Sequence, residues 1–230
     1  MIKRFLLAGL LAALAGAAAA QGDAPFTEGA QYFRVEPPQP TSTPGKIEVL
    51  EVFSYACPAC NQFQPHLNRL KSALPPEAQL VFLSAAFNPG EDWPVFQRGF
   101  LAAQALGIAE KSHDAMFDAV WLKGTLALMD KNTHRWYSQD KQPTINDLAK
   151  FYSAYGVKED AFLSMAASFK IDSLMRRSDQ QIKNYEVDGT PTVIVNGKYR
   201  VTPASAGGYD KVGDVVLYLV AREKRGGGAR

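Results

Sequence analysis

Glu51-Val52-Phe53-Ser54-Tyr55-Ala56-Cys57-Pro58-Ala59-Cys60 is the stretch that decides the fold. It closes an apolar, strand-like run and opens a helix-like one. It also holds the only two cysteines in 230 residues. Two residues separate them, the spacing of a dithiol that can open and close a disulfide. Pro58 fits the first helical position, where its missing N–H costs nothing, so Cys57 falls at or near the helix N-cap. Backbone N–H groups there have no intrahelical partners and carry partial positive charge. A thiolate gains from both, so the Cys57 pKa should lie below that of a free thiol. Cys60, one turn deeper, should be less exposed and placed to resolve a mixed disulfide formed at Cys57.

Two plainer readings of the pair are weaker. A static disulfide closing so short a ring constrains little chain entropy. A zinc site normally takes four ligands, and there is no second cysteine pair. His66, His113 and His134 are scattered, without ligand spacing, and read as solvated or packed residues. No metal and no cofactor are expected.

Working outward, Ile47 to Phe53 is a strand candidate. Ile47, Val49, Glu51 and Phe53 share one face, and Leu50 and Val52 make the other face apolar too. Such a strand is usually central in a sheet covered by helices. After the dithiol, Phe63, Leu67, Leu70 and Leu74 recur at helical steps. Pro65 should kink this helix, and Pro75-Pro76 end it. Leu80 to Leu83 is a second core strand. From about 94 to about 185 the periodicity is helical, with Thr144 as an N-cap and Gly156 as a stop. Phe96, Phe100 and Ala103 mark one of these helices, and Met116, Phe117, Val120 and Trp121 mark another. Thr192 to Val195, the turn Asn196-Gly197 and Tyr199 to Val201 form a hairpin. A last helix carries Val212, Val215, Val216, Leu219 and Val220. There are no internal repeats.

The two halves of one sheet thus flank about 90 helical residues, which defines an α/β domain with an all-helical insertion. The expected division is 47–90 and 187–222 for the sheet domain, with 91–186 inserted. Residues 21–46 form an N-terminal segment with one short strand near Tyr32 to Val35. Residues 223–230 read as a flexible tail.

The N-terminus reads as a secretory signal. Met1-Ile2-Lys3-Arg4 is basic, Phe5 to about Ala17 is apolar, and Ala18-Ala19-Ala20 offers a cleavage site. The run is short for a membrane span. An exported chain with one cysteine pair is not a disulfide-stapled scaffold, so its stability must come from an ordinary core. Removing residues 1–20 takes two basic and no acidic side chains, leaving 23 of each sign. Nothing in that balance points to nucleic acid.

The decapeptide quoted above strongly resembles the active-site region of DsbA-type periplasmic thiol:disulfide oxidoreductases. Gly189-Thr190-Pro191-Thr192 resembles the second signature of the thioredoxin fold. The resemblance in layout covers roughly residues 25–222 and implies a thioredoxin fold with the helical block inserted. It implies that Pro191 is cis and faces the dithiol, leaving the Thr190 backbone free to pair with an extended substrate. It gives Glu51 the role of a buried acid that passes protons to a nearby thiol. It implies reduced secreted proteins as substrates, a membrane thiol oxidase of the DsbB type as reoxidant, and a periplasmic location.

The chain departs from the family pattern at two places. Ala59 stands where the best-known members carry histidine, so the Cys57 thiolate should be stabilised less and the disulfide should be less oxidising. Thr190 stands where the oxidases commonly have valine and looks more like the reductases and isomerases. Its hydroxyl would stabilise the Cys57 sulfur. The leading expectation is a monomeric oxidase. Residues 21–46 are too few for the dimerisation domain of the isomerases. A disulfide isomerase or reductase is the first alternative. A non-catalytic peptide- or metal-binding module is the second.

Overall fold

The computed structural model describes residues 25–87 and 93–227. The expected signal at 1–20, the boundary at 90/91 and the last three residues of the expected tail lie outside the described residues.

The sheet is built around β2 (Ile47–Phe53), whose seven residues are all buried. It runs parallel to β3 (Ala78–Ser84) on one side and antiparallel to β4 (Thr192–Val195) on the other. Continuing outward, β5 (Tyr199–Val201) pairs with β4, and β1 (Phe33–Arg34) closes that edge. The order is β1-β5-β4-β2-β3. Asn196 and Gly197 both adopt positive φ, which lets a tight turn reverse the chain between β4 and β5.

Alternation along the strands sorts the core into layers. Ile47, Val49, Val193 and Val195 pack against Phe63, Leu67 and Leu70 of α1 (Pro58–Ala73) and Val212 to Val220 of the last helix. Leu50, Val52 and Ile194 face the opposite side, toward Ile182 and Tyr185. Helix α1 runs through Pro65 without a break in the helical assignment, and Pro75-Pro76 follow its end.

Among the described residues, five α-helices lie between β3 and β4: α2 (Trp93–Ala105), α3 (Ala109–Phe117), α4 (Ile145–Ser153), α5 (Glu159–Ala166) and α6 (Phe169–Asn184). A capping box joins Thr144 and Asp147 at the start of α4. Their apolar faces share one core with Phe53, Tyr55, Cys57 and Cys60, so the helical block and the dithiol loop are packed together.

The structure corrects two expectations. The helix read through Met116 and Trp121 is α3 followed by a π-helical turn at Asp118–Leu122, which re-aims the side chains after Phe117. The tail does not begin at 223. After a short helix α7 (Pro203–Ala206), α8 spans Tyr209–Arg225. Glu223 is buried and accepts from Asn196 Nδ2 at 2.5 Å and Lys198 Nζ at 2.6 Å, so the last turn of α8 is tied to the hairpin. The Glu36–Pro37 peptide is cis.

Candidate active site

Three pieces of chain meet at the C-terminal end of β2. The first is the turn that leads from the strand into α1. Ser54 Oγ accepts from the Ala56 amide at 3.2 Å, and the Cys57 amide donates to the Ser54 carbonyl at 3.1 Å. This turn delivers Cys57 to the N-cap, with φ −91° and ψ 115°, and Pro58 opens the helix. The Cys57 sulfur accepts from the Cys60 amide at 3.3 Å, satisfying one of the free N–H groups of the first turn. Both cysteines are free thiols in this structure. Cys57 retains 5% of its accessible surface and Cys60 none.

The two thiols are poised in opposite senses. Cys57 is held down to about 6, first by the Cys60 thiol, which turns its proton to the anion. Burial opposes this, and Thr190 and the backbone amides of the first turn assist it. Cys60 is pushed well up, first by burial, then by donating to Cys57, and by the charges of Cys57 and Glu51. One sulfur is therefore prepared to be an anion and the other a thiol.

The second piece is the loop before β4. The Thr190–Pro191 peptide is cis. The Cys57 thiol donates to the Thr190 carbonyl at 3.5 Å. In the thiol state the Thr190 hydroxyl is buried without a hydrogen-bond partner. It is free to rotate toward the sulfur when Cys57 ionises, which is how it lowers the pKa. The sequence reading expected a contact from the hydroxyl, whereas the hydrogen bond present is to the carbonyl. The carbonyl contact, made by the backbone, carries no signal in residue type.

The third piece is Glu51, on the α1 side of the central strand. It is fully enclosed, and neither carboxyl oxygen has a hydrogen-bond partner. Burial, and then the Cys57 charge, hold its pKa well above the ordinary carboxylate value. Burial thus favours the protonated form of this carboxyl. Ala59 is half-buried, offers no donor, and lines a groove of about 610 Å³. Pro191, Thr190, Arg200, Phe33 and Tyr209 line the same groove.

Sequence reasoning missed the residues that hold the turn from the helical side. Tyr55, completely buried, has its hydroxyl 3.0 Å from His113 Nδ1, and its carbonyl accepts from Trp121 Nε1 at 2.9 Å. His113 is indeed packed, but as a partner of the dithiol loop. Burial, then the Lys71 charge, drive its pKa down to about 3. His66 lies elsewhere, bonded to Arg69 and stacked on Phe63. His134 sits in an exposed turn of the helical block.

An acidic thiol at a helix start, resolved by a protonated one a turn below it, is the working pair of a thiol:disulfide oxidoreductase. Comparison with known proteins agrees. The family model described as a DSBA-like thioredoxin domain matches residues 48–210. The Thiol:disulfide interchange protein DsbA of Pseudomonas syringae pv. tomato is 36% identical over 224 residues, covering 97% of each chain. Its namesake in Pseudomonas aeruginosa is 35% identical over 93% of this chain and 92% of its own. Among solved structures, oxidoreductase DsbA from Xylella fastidiosa superposes with a TM-score of 0.75 at 30% identity, covering 88% of this chain and 99% of that one. This chain belongs to the DsbA-like thioredoxin-domain family and is an enzyme of thiol–disulfide exchange.

Proposed function

We propose that the protein works as an oxidase in the periplasm, passing a Cys57–Cys60 disulfide to reduced secreted proteins. A substrate thiolate attacks the Cys57 sulfur, the Cys57–Cys60 bond breaks, and Cys60 leaves and takes a proton. Glu51 is the internal acid for that proton. A second substrate thiolate then attacks the substrate sulfur of the mixed disulfide and expels Cys57 as the anion. The substrate gives up two electrons and two protons. The enzyme keeps both electrons and the proton on Cys60, and the other proton goes to solvent. A membrane thiol oxidase of the DsbB type takes the electrons back. Thr190 and Pro191 present backbone to an extended substrate strand beside the dithiol. Pro58 fixes the helix start, and Ala59 leaves the rim of the sulfur open. No nucleic acid, metal or cofactor takes part, and the enzyme acts as a monomer.

The observation that carries this reading is the placement of the two sulfurs: Cys57 at the helix N-cap accepts from the Cys60 amide at 3.3 Å, while Cys60 is fully buried one turn deeper. A disulfide whose reduced form contains a stabilised thiolate is an oxidising one. The isomerase or reductase alternative draws on Thr190. One measurement separates them: equilibration of the Cys57/Cys60 pair with glutathione. An oxidase should be largely reduced at glutathione ratios that leave a reductase oxidised. A second measurement excludes a passive binding module. Catalytic oxidation of a reduced model protein should be lost in Cys57→Ser, and Cys60→Ser should accumulate mixed disulfides. Full turnover by Cys57→Ser would end the proposal.

A further inference from the structure

Tyr55 stands two residues before Cys57 and is gripped at both ends by one part of the molecule. Its hydroxyl meets His113 of α3, and its carbonyl takes the indole N–H of Trp121 from the π-helical turn. The His113 ring is fixed in turn. It stacks on Phe82 of β3 with centroids 4.2 Å apart and meets Phe53 and Phe117 edge-on at 4.9 and 5.3 Å. Trp121 lies in the π-helical turn that follows Phe117, and from there it reaches the Tyr55 carbonyl. An uninterrupted α-helix would turn the indole to another heading. The exposed Trp136 covers the outer edge of that indole at 6.2 Å, perpendicular to it.

We propose that Trp121 and His113 are positioning residues for the dithiol: by holding Tyr55 they fix the turn from which Cys57 enters its helix. Each acts through its hydrogen bond to Tyr55, with none recorded to a sulfur. The Ser54–Cys57 turn has only two internal hydrogen bonds, one from the Ala56 amide and one from the Cys57 amide. The Tyr55 carbonyl lies between them and is anchored by Trp121 alone among the hydrogen bonds found for it. Release of that carbonyl lets the peptide plane rotate. The Cys57 sulfur then loses its alignment with the Cys60 amide, the donor that stabilises its anion. The helical insertion is on this reading a rigid brace for the chemistry, in addition to whatever surface it offers to substrates.

The proposal rests on Cys57 being the reactive sulfur, but it is read without turnover, so its failure leaves that assignment standing. The test replaces Trp121 by 3-benzothienylalanine, which keeps the bicyclic shape and lacks the N–H donor, and separately by phenylalanine. Cys57 acidity is followed by thiolate absorbance and by the pH profile of alkylation, and the glutathione equilibrium is measured alongside. The isosteric variant should raise the Cys57 pKa by about half a unit and lower the oxidising strength by up to about threefold, with unfolding midpoints close to wild type. Trp121→Phe should show at least the same shift. His113→Phe, which keeps an aromatic ring among Phe53, Phe82 and Phe117, should move acidity in the same direction. Wild-type acidity in the isosteric variant overturns the proposal, whether or not Trp121→Phe loses stability, because the indole would then act by packing alone.

Discussion

Replacing Glu51 by glutamine should change how stability depends on pH, and the sense follows from the surroundings of the carboxyl. In the unfolded chain Glu51 ionises as the pH rises through 4.5. In the fold it keeps its proton well above that point, because burial first and the Cys57 charge second oppose ionisation. Above pH 4.5 the unfolded chain therefore binds fewer protons, and this group lowers stability by about 1.4 kcal/mol per pH unit. His113 has the reverse effect. Its folded pKa is about 3 against 6.5 when unfolded, so the unfolded chain takes up a proton below 6.5 that the fold refuses. Stability from this group falls as the pH drops. Cys57 is silent below about 6, where it is a thiol in both states. Between pH 4.5 and 6 the Glu51 and His113 slopes oppose each other with nearly equal size. Glu51→Gln removes one of them. For as long as Glu51 keeps its proton in the fold, the variant should gain about 1.4 kcal/mol per pH unit on wild type, whatever constant offset the amide introduces. Urea unfolding of the reduced proteins at half-unit pH steps reads the difference directly. Parallel curves, or a variant that loses ground as the pH rises, would mean that Glu51 is ionised in the fold.

Other expectations are read more simply. Ala59→His puts a donor, and a positive charge when protonated, at the mouth of the site. Cys57 acidity should increase and the potential rise by up to about 30 mV per unit, measured by glutathione equilibration. Thr190→Val removes the rotating hydroxyl, so the Cys57 pKa should rise and mixed disulfides should persist longer in quenched-flow traps; unchanged acidity would leave the Thr190 carbonyl as the only contact that matters. Gly197→Ala forces a left-handed backbone (φ +66°) on a residue with Cβ, and places that Cβ against the Gln39 carbonyl. It should cost at least about 1–2 kcal/mol, visible as a drop of several degrees in the thermal midpoint.

What could be read from residue order was local or periodic. The β2 run, the Pro58 helix start and the Asn196-Gly197 turn each carry their instruction within a few residues, and each is found where it was expected. Glu51 was legible in part: its place in the alternation put it inward, while its lack of any partner needed the packed helices above it. The grip on Tyr55 was not legible. His113 and Trp121 lie 58 and 66 residues from it in sequence. The π turn that aims Trp121 looks, in hydrophobic spacing, like ordinary helix. The end of α8 was misjudged for a related reason. Glu223 sits among Arg222, Lys224 and Arg225, a run that reads as solvated. Its burial depends on the Asn196 and Lys198 side chains of a distant hairpin.

The small share of surface left to Cys57 sets a limit in time. A sulfur so nearly covered meets only chains that can bend a cysteine inward, and a cysteine held in a finished fold cannot. For the oxidase proposed above, the period in which a client can be served would therefore close when its own collapse outruns the encounter. Slow-folding or still-emerging chains would be favoured over fast ones with the same number of cysteines.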